Sequence, residues 1–311
     1  MRHRTPDEDR FNPPVRHHRW RLTNALPQEN IAALVCAALD ISDAQFDALL
    51  NDGGLHCNDV RLTPDTVPAQ IEAGSELQAY CYVRTPEPIP LTTEHILFQR
   101  DGILAVNKPA WLPVQGTRVS VSHALEHQLR LFTGIATLMA VHRLDRQTSG
   151  IVLFGETAKI TGWMMQQFAQ HRVQKKYLAL VSPAPTANQW ETQGYLERLY
   201  RRLPQNVFRL QATEVKKSKW SHTQFRCVTT SSDGALVECV PVTGRTHQLR
   251  VHLSAHGTPI VGDDLYGGAM HFENQLVQRI QLHAAQLTFP MSTGAGTAHI
   301  TLEAPLPGDF L

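Results

Sequence analysis

Nothing in this chain is apolar for long enough to cross a bilayer. Its opening run, MRHRTPDEDRFNPPVRHHRW, is charged and lacks the apolar core of a secretory signal. Cysteine is sparse: Cys36, Cys57, Cys81, Cys227 and Cys239 are odd in number and scattered, with no CxxC pair. Neither a disulfide framework nor a zinc ribbon fits that pattern, which reads as a reduced, cytoplasmic protein with buried thiols. Three enzyme signatures are also missing: the HExxH of zinc hydrolases, the phosphate-cradling P-loop and the G-x-S-x-G nucleophile elbow. His252 and His256 stand four apart on an expected helix, a spacing that can bind zinc, but no third ligand stands out. No metal is therefore expected, and no internal repeat or low-complexity tract is present.

Net charge is scant too, +1 over 311 residues, which argues against a nucleic-acid partner until it is divided. Residues 1 to 21 hold six Lys/Arg against three Asp/Glu, and residues 22 to 100 hold three against eleven. The remainder holds twenty against fourteen, and His171 to His222 alone carries ten basic and three acidic residues. A phosphate backbone responds to the local field rather than the sum. Arg198, Arg201, Arg202, Arg209, Lys216, Lys217 and Lys219 are thus either an RNA-facing patch or a soluble hairpin.

Along the chain, the Pro-, Arg- and His-rich residues 1 to 21 read as a basic, poorly ordered arm. A small domain follows over 22 to 84. In it Ile31 to Leu39 and Ser42 to Leu50 read as helices, with Ser42 as N-cap, and Leu55 to Cys57 and Glu76 to Val83 as strands. Residues 85 to 94 carry Pro86, Pro88 and Pro90 and read as an extended linker. From 95 onward a larger domain begins with a hairpin about Asp101-Gly102. Ile151 to Phe154, Lys176 to Val181, Val207 to Ala212, Gln224 to Thr229 and Ala235 to Val242 read as strands. Thr157 to Gln170 is an expected helix capped by Thr157, whose stripe of Ile160, Trp163, Met164 and Phe168 reads as core. A second helix is expected over Thr246 to Ala255, ended by Gly257. Strands outnumber helices without alternating with them, so the fold class is α+β.

The most informative run is VHRLDRQTSG, Val141 to Gly150. It sets one carboxylate, Asp145, between Arg143 and Arg146, and flanking positive charge favours the ionised form. Such a group is a plausible nucleophile or base, although a loop-fixing ion pair has the same pattern. HRLDRQTSG resembles the catalytic motif of the RluA-type pseudouridine synthases, in which this aspartate is the essential residue. Further segments resemble the same family in its order: ILAVNKPAWLP (103–113), KKYLALV (175–181), VTGRTHQLRVHL (242–253), GTPIVGDDLYG (257–267) and LHAAQLTF (282–289). Trp111 departs from it, standing where a small residue is usual. Residues 22 to 84 resemble, more weakly, the αL-type RNA-binding fold often fused to such enzymes. Its second helix normally presents basic residues, whereas Asp43, Asp47 and Asp52 stand here, so its phosphate-binding surface is expected to be largely lost.

The resemblance implies a curved mixed, mostly antiparallel sheet with flanking helices over residues 95–311. It implies isomerisation of specific uridines to pseudouridine in ribosomal or transfer RNA, without cofactor, by a monomer. Asp145 is implied as the catalytic residue, Arg245 as the arginine that ion-pairs with it, and Tyr177 as the tyrosine that stacks on the target base. On residue pattern alone Arg245 is also a phosphate ligand at a helix N-terminus, and Tyr177 a core aromatic. Arg143, Lys108, Lys175, Lys176 and His142 are candidate RNA contacts; Lys108 equally closes a turn, and His142 is equally a structural histidine. Thr148, Ser149 and Gly150 are expected to shape the backbone that aims Asp145. Asp263 and Asp264 read as turn caps rather than a catalytic pair. The competing reading is a non-catalytic RNA-binding or assembly protein descended from a synthase, which predicts loss of Asp145 or its arginine partners.

Overall fold

A computed structural model describes residues 4–199, 206–293 and 296–311; Arg201 and Arg202 of the basic run lie outside them. The described residues divide into two compact units, one within 6–91 and 112–136, the other within 4–5, 92–111 and 137–311. No described helix is long and apolar enough to cross a membrane.

In the first unit the helices Ile31–Leu39 and Asp43–Asn51 form where their apolar spacing predicts, and Ser42 starts the second with a capping box shared with Gln45. Ile31, Val35, Leu39, Phe46 and Leu49 pack on Leu55, Leu77 and Ala79. These last three come from a four-stranded antiparallel sheet ordered Val15–Arg21, Glu76–Tyr82, Leu55–Cys57, Val60–Leu62. The basic arm expected to be loose is thus a helix, Pro6–Phe11, and an edge strand. Its sequence lacks apolar alternation because the strand is held mainly through its backbone ladder to Glu76–Tyr82, with six of seven side chains exposed. The Pro-rich segment is tied to that helix as well. The Glu87 amide donates to the Arg10 carbonyl at 3.0 Å, and Arg84 donates to the Asp9 carbonyl at 2.6 Å. Asp43 and Asp47 are exposed, while Asp52 accepts the Ser122 amide at 2.9 Å and serves a turn.

The second unit is built on one mixed sheet, mostly antiparallel, of eleven strands among the described residues. Its main path runs Val207–Gln211, Gln189–Leu199, Lys219–Thr230, Ala235–Pro241, Gln174–Val181, Leu282–Thr293, Ser149–Gly155, Ile103–Lys108, Ile96–Arg100. The hairpin at Asp101-Gly102 turns with both φ angles positive, 52° and 74°, as a two-residue primed turn requires. The one parallel pairing among the described residues sets Ser149 opposite His283 and Gly150 opposite Ala284. There a side chain is excluded: Gly150 has φ 109°, and a Cβ would lie 2.3 Å from the Ala284 carbonyl oxygen. The Ala158–Ala169 helix starts on a Thr157 cap, and its Ile160, Trp163, Met164 and Phe168 pack on Ile103, Ile151, Leu153 and Phe289. The other helix, Gln248–Ala255, covers Ala179, Phe225, Val237 and Cys239 with Leu249 and Leu253. The strand Gln189–Leu199 is not foreseen in the sequence, because its inward face offers only Trp190 and Leu196 as apolar residues.

Two buried histidines bind the second unit together as neutral rings. His283 accepts the Ser149 hydroxyl and donates to the Ala304 carbonyl; His252 bonds Ser221 and Thr223. Burial lowers both to about 4. His256 stacks on Trp190 at 4.6 Å, so the pair at four-residue spacing is used in packing. Between pH 6.5 and about 4 the unfolded chain binds protons at these sites that the folded chain refuses. Stability should therefore fall as pH drops through that window, with a falling urea midpoint. In His283→Gln the slope should be shallower.

Candidate active site

Asp145 sits in the loop between Ala140 and Ser149, and several bonds fix that loop. The Thr148 amide donates to the Asp145 carbonyl at 3.1 Å, and Gln147 Oε1 accepts the Ile280 amide at 3.0 Å. Lys108 Nζ donates to the Arg146 carbonyl at 3.1 Å and the Pro109 carbonyl at 2.8 Å. Ser149 and Gly150 anchor the far side through His283 and Ala284, and Thr148 is buried between. The carboxylate itself remains 31% exposed, so it is held from behind and open in front.

Its cation is Arg250, not Arg245. Arg250 Nη1 lies 3.2 Å from Asp145 Oδ2, while Nε and Nη2 grip both oxygens of Asp263 at 2.7 and 2.8 Å. One guanidinium therefore serves two carboxylates, using its planar fork on the buried one and a remaining edge on the exposed one. Burial opposes the charge of Arg250, but the bonds and charge of Asp263, aided by Asp145, push its pKa above the usual arginine value. Arg245 precedes the helix, is exposed, and donates from Nε to the Trp220 carbonyl at 3.0 Å. Phase explains the correction. The helix begins at Gln248, after His247 at φ 56°, so Arg250 lies in its first turn and faces inward, buried.

Asp263 is also more than a cap. It is fully buried, and its whole acceptor edge is spent on Arg250. His247 and Tyr266 complete the surroundings: His247 Nε2 lies 3.8 Å from Asp145 Oδ2, and the Arg250 guanidinium sits 5.0 Å over the Tyr266 ring. Neither residue stood out in the sequence. The available signal was spacing, since His247 and Arg250 are three apart and share a side of one turn.

Tyr177 is half-buried in the Gln174–Val181 strand, opposite Cys239. Burial, and next the charge of Asp145, raises its hydroxyl above the ordinary tyrosine value. The group stays protonated and offers a donor and a ring face, not a base.

The expected RNA contacts divide. Arg143 is exposed and available. Lys108 is wholly buried and binds backbone carbonyls, so it closes the turn and braces the Asp145 loop instead of meeting phosphate. His142 is corrected likewise. Burial lowers it to about 3, Nε2 accepts the Leu153 amide at 3.1 Å, and its ring stacks on Phe168 at 4.6 Å. Lys108 is the last residue of the Ile103–Lys108 strand and His142 stands in the loop after Ala140, and each turns its side chain inward. Lys175 is largely buried and reaches toward the Thr243 carbonyl at 3.5 Å; Lys176 pairs with Glu238 at 2.9 Å. Among the described residues no group of His, Cys, Asp or Glu is placed to hold a metal ion.

Comparison with known proteins shows the family. Residues 102–255 match the family model described as RNA pseudouridylate synthase. The chain is 33% identical over 279 residues to Ribosomal large subunit pseudouridine synthase C of Escherichia coli K12, covering 83% of each. It is 28% identical over 313 residues to Ribosomal large subunit pseudouridine synthase D of Zymomonas mobilis, covering 94% of this chain and 92% of that one. Among solved structures, Human RNA Pseudouridylate Synthase Domain Containing 1 superposes with TM-score 0.56 at 26% identity, over 70% of this chain and 87% of that one.

Proposed function

The chain belongs to the RNA pseudouridylate synthase family and is an enzyme that isomerises uridine in RNA; from that premise we propose that its substrate is large-subunit ribosomal RNA and that Asp145 is the reacting carboxylate. The relatives that share four-fifths of its length carry that substrate in their names, which supports ribosomal over transfer RNA. The observation that carries the site is the shared guanidinium: Arg250 holds both oxygens of Asp263 with Nε and Nη2 and touches Asp145 from Nη1 through one oxygen only. Asp145 Oδ1 has no hydrogen-bond partner among the described residues and is free for a nucleotide.

The reaction breaks the bond from ribose C1′ to uracil N1 and forms one from C1′ to C5. The C5 proton leaves to water and N1 regains one, so no redox partner is needed. The target base must first leave its stack, at a cost of a few kcal/mol. Tyr177 supplies a ring face for that base and a protonated hydroxyl, and Arg143 an exposed cation for the displaced strand. Asp145 then acts at bonding distance, held by Arg250.

The substrate is tested by mapping pseudouridines in total RNA from cells with and without the protein. Loss of one or a few large-subunit positions is expected; loss confined to transfer RNA would overturn the ribosomal assignment. An unchanged map, together with RNA binding by the purified protein, would favour the non-catalytic relative.

A further inference from the structure

His247 has both ring nitrogens directed at the catalytic apparatus. Nδ1 lies 2.8 Å from the Tyr266 hydroxyl, and Nε2 lies 3.8 Å from Asp145 Oδ2. The Tyr266 oxygen in turn accepts the Phe208 amide at 3.1 Å. With that amide donating to the oxygen, the Tyr266 hydrogen can point to Nδ1, and the tautomer that does so carries its ring proton on Nε2, facing the Asp145 carboxylate. The opposite tautomer would point a lone pair at an anion. Burial, with the charge of Arg250 against that of two carboxylates, lowers the His247 pKa, so a second proton is disfavoured.

The ring is fixed from the backbone as well. The neighbouring Gln248 side chain accepts the Arg245 amide at 2.9 Å and the Thr243 hydroxyl at 2.7 Å. It also donates to the His222 carbonyl and the Thr223 hydroxyl, both at 3.0 Å. With its amide saturated, Gln248 cannot shift without breaking buried bonds, and the left-handed turn at His247 (φ 56°) is locked beside it.

We propose that His247 is a positioning residue for uridine isomerisation: its Nε2–H, set by Tyr266, joins Arg250 in confining Asp145 through Oδ2, so that Oδ1 is presented to the flipped nucleotide. The inference rests on the assignment of Asp145 made above. At 3.8 Å the contact is longer than a hydrogen bond, and the proposal requires it to shorten once a nucleotide bears on the carboxylate.

The test compares steady-state uridine conversion by His247→Ala, His247→Gln, Tyr266→Phe and the Ala/Phe double variant. His247→Ala should lose roughly thirty- to a hundredfold in kcat with KM within about threefold, the scale of a misplaced reacting group. His247→Gln, whose amide nitrogen replaces Nε2, should recover roughly tenfold of that loss. Tyr266→Phe should cost roughly tenfold in the native background and nothing further in His247→Ala, because it acts through the imidazole. Native kcat in His247→Ala, a glutamine no better than alanine, or equal Tyr266→Phe losses in both backgrounds would each overturn the proposal. Should His247→Ala unfold, His247→Gln with and without Tyr266→Phe carries the same comparison. Asp145→Asn in the same assay keeps the two levels apart. If that variant is as active as the native enzyme, the parent reading fails whatever His247 does.

Discussion

Asp145→Asn is expected to lose at least about a thousandfold in the rate of uridine conversion while binding RNA within about threefold of the native affinity. Asparagine keeps the shape of aspartate and can still accept the Arg250 N–H through its amide oxygen, so the loop bonds through Gln147, Thr148 and Lys108 need not change. It lacks the second anionic oxygen, which is the one left free for substrate. Binding energy comes mostly from phosphate contacts and stacking elsewhere. Conversion is read by nuclease digestion and chromatography of nucleosides, and binding by filter retention. A tenfold loss or less would show that the carboxylate only stabilises the loop.

Arg250→Met is expected to damage both folding and activity, for separable reasons. Asp263 is fully buried and spends both oxygens on this guanidinium. Removing one partner of a buried pair leaves an uncompensated charge, a loss of about 3–5 kcal/mol. Asp145 loses its anchor in the same step. The double variant Arg250→Met/Asp263→Leu removes the stranded charge and should regain most of the stability, since buried ion pairs replaced by apolar side chains are often neutral. Activity should not return. Urea denaturation and conversion assays on both variants separate the effects; recovered activity in the double variant would mean that Arg250 matters only through Asp263.

Which parts of this were legible depended on how local the cause is. Asp145, Thr148, Ser149 and Gly150 fall within one short run, and the constraint on Gly150 is a backbone contact that any sequence with that turn must satisfy. The helices capped by Ser42 and Thr157 were readable because cap and apolar stripe lie within a few residues. The partner of Asp145 was not, because Arg245 precedes the helix while Arg250 faces inward from its first turn, a matter of where the helical phase begins. That phase depends on whether the helix starts at 246 or 248, which the Gln248 bonds to a distant strand decide. Lys108 and His142 were misread for a related reason: a charged or polar side chain on or beside a strand shows its burial only when the neighbouring layer is known. The Val15–Arg21 edge strand carries no apolar pattern at all, since its backbone partner supplies the reason for its existence.

Two carboxylates share one guanidinium here, and only Asp145 is open to solvent while Asp263 is buried. Tritium release from RNA labelled at uridine C5 measures that distinction directly, with Asp145→Asn set against Asp263→Asn. The expected result is no release above background from the first and slowed but continuing release from the second. Native-level release from Asp145→Asn would contradict the assignment of the reacting group.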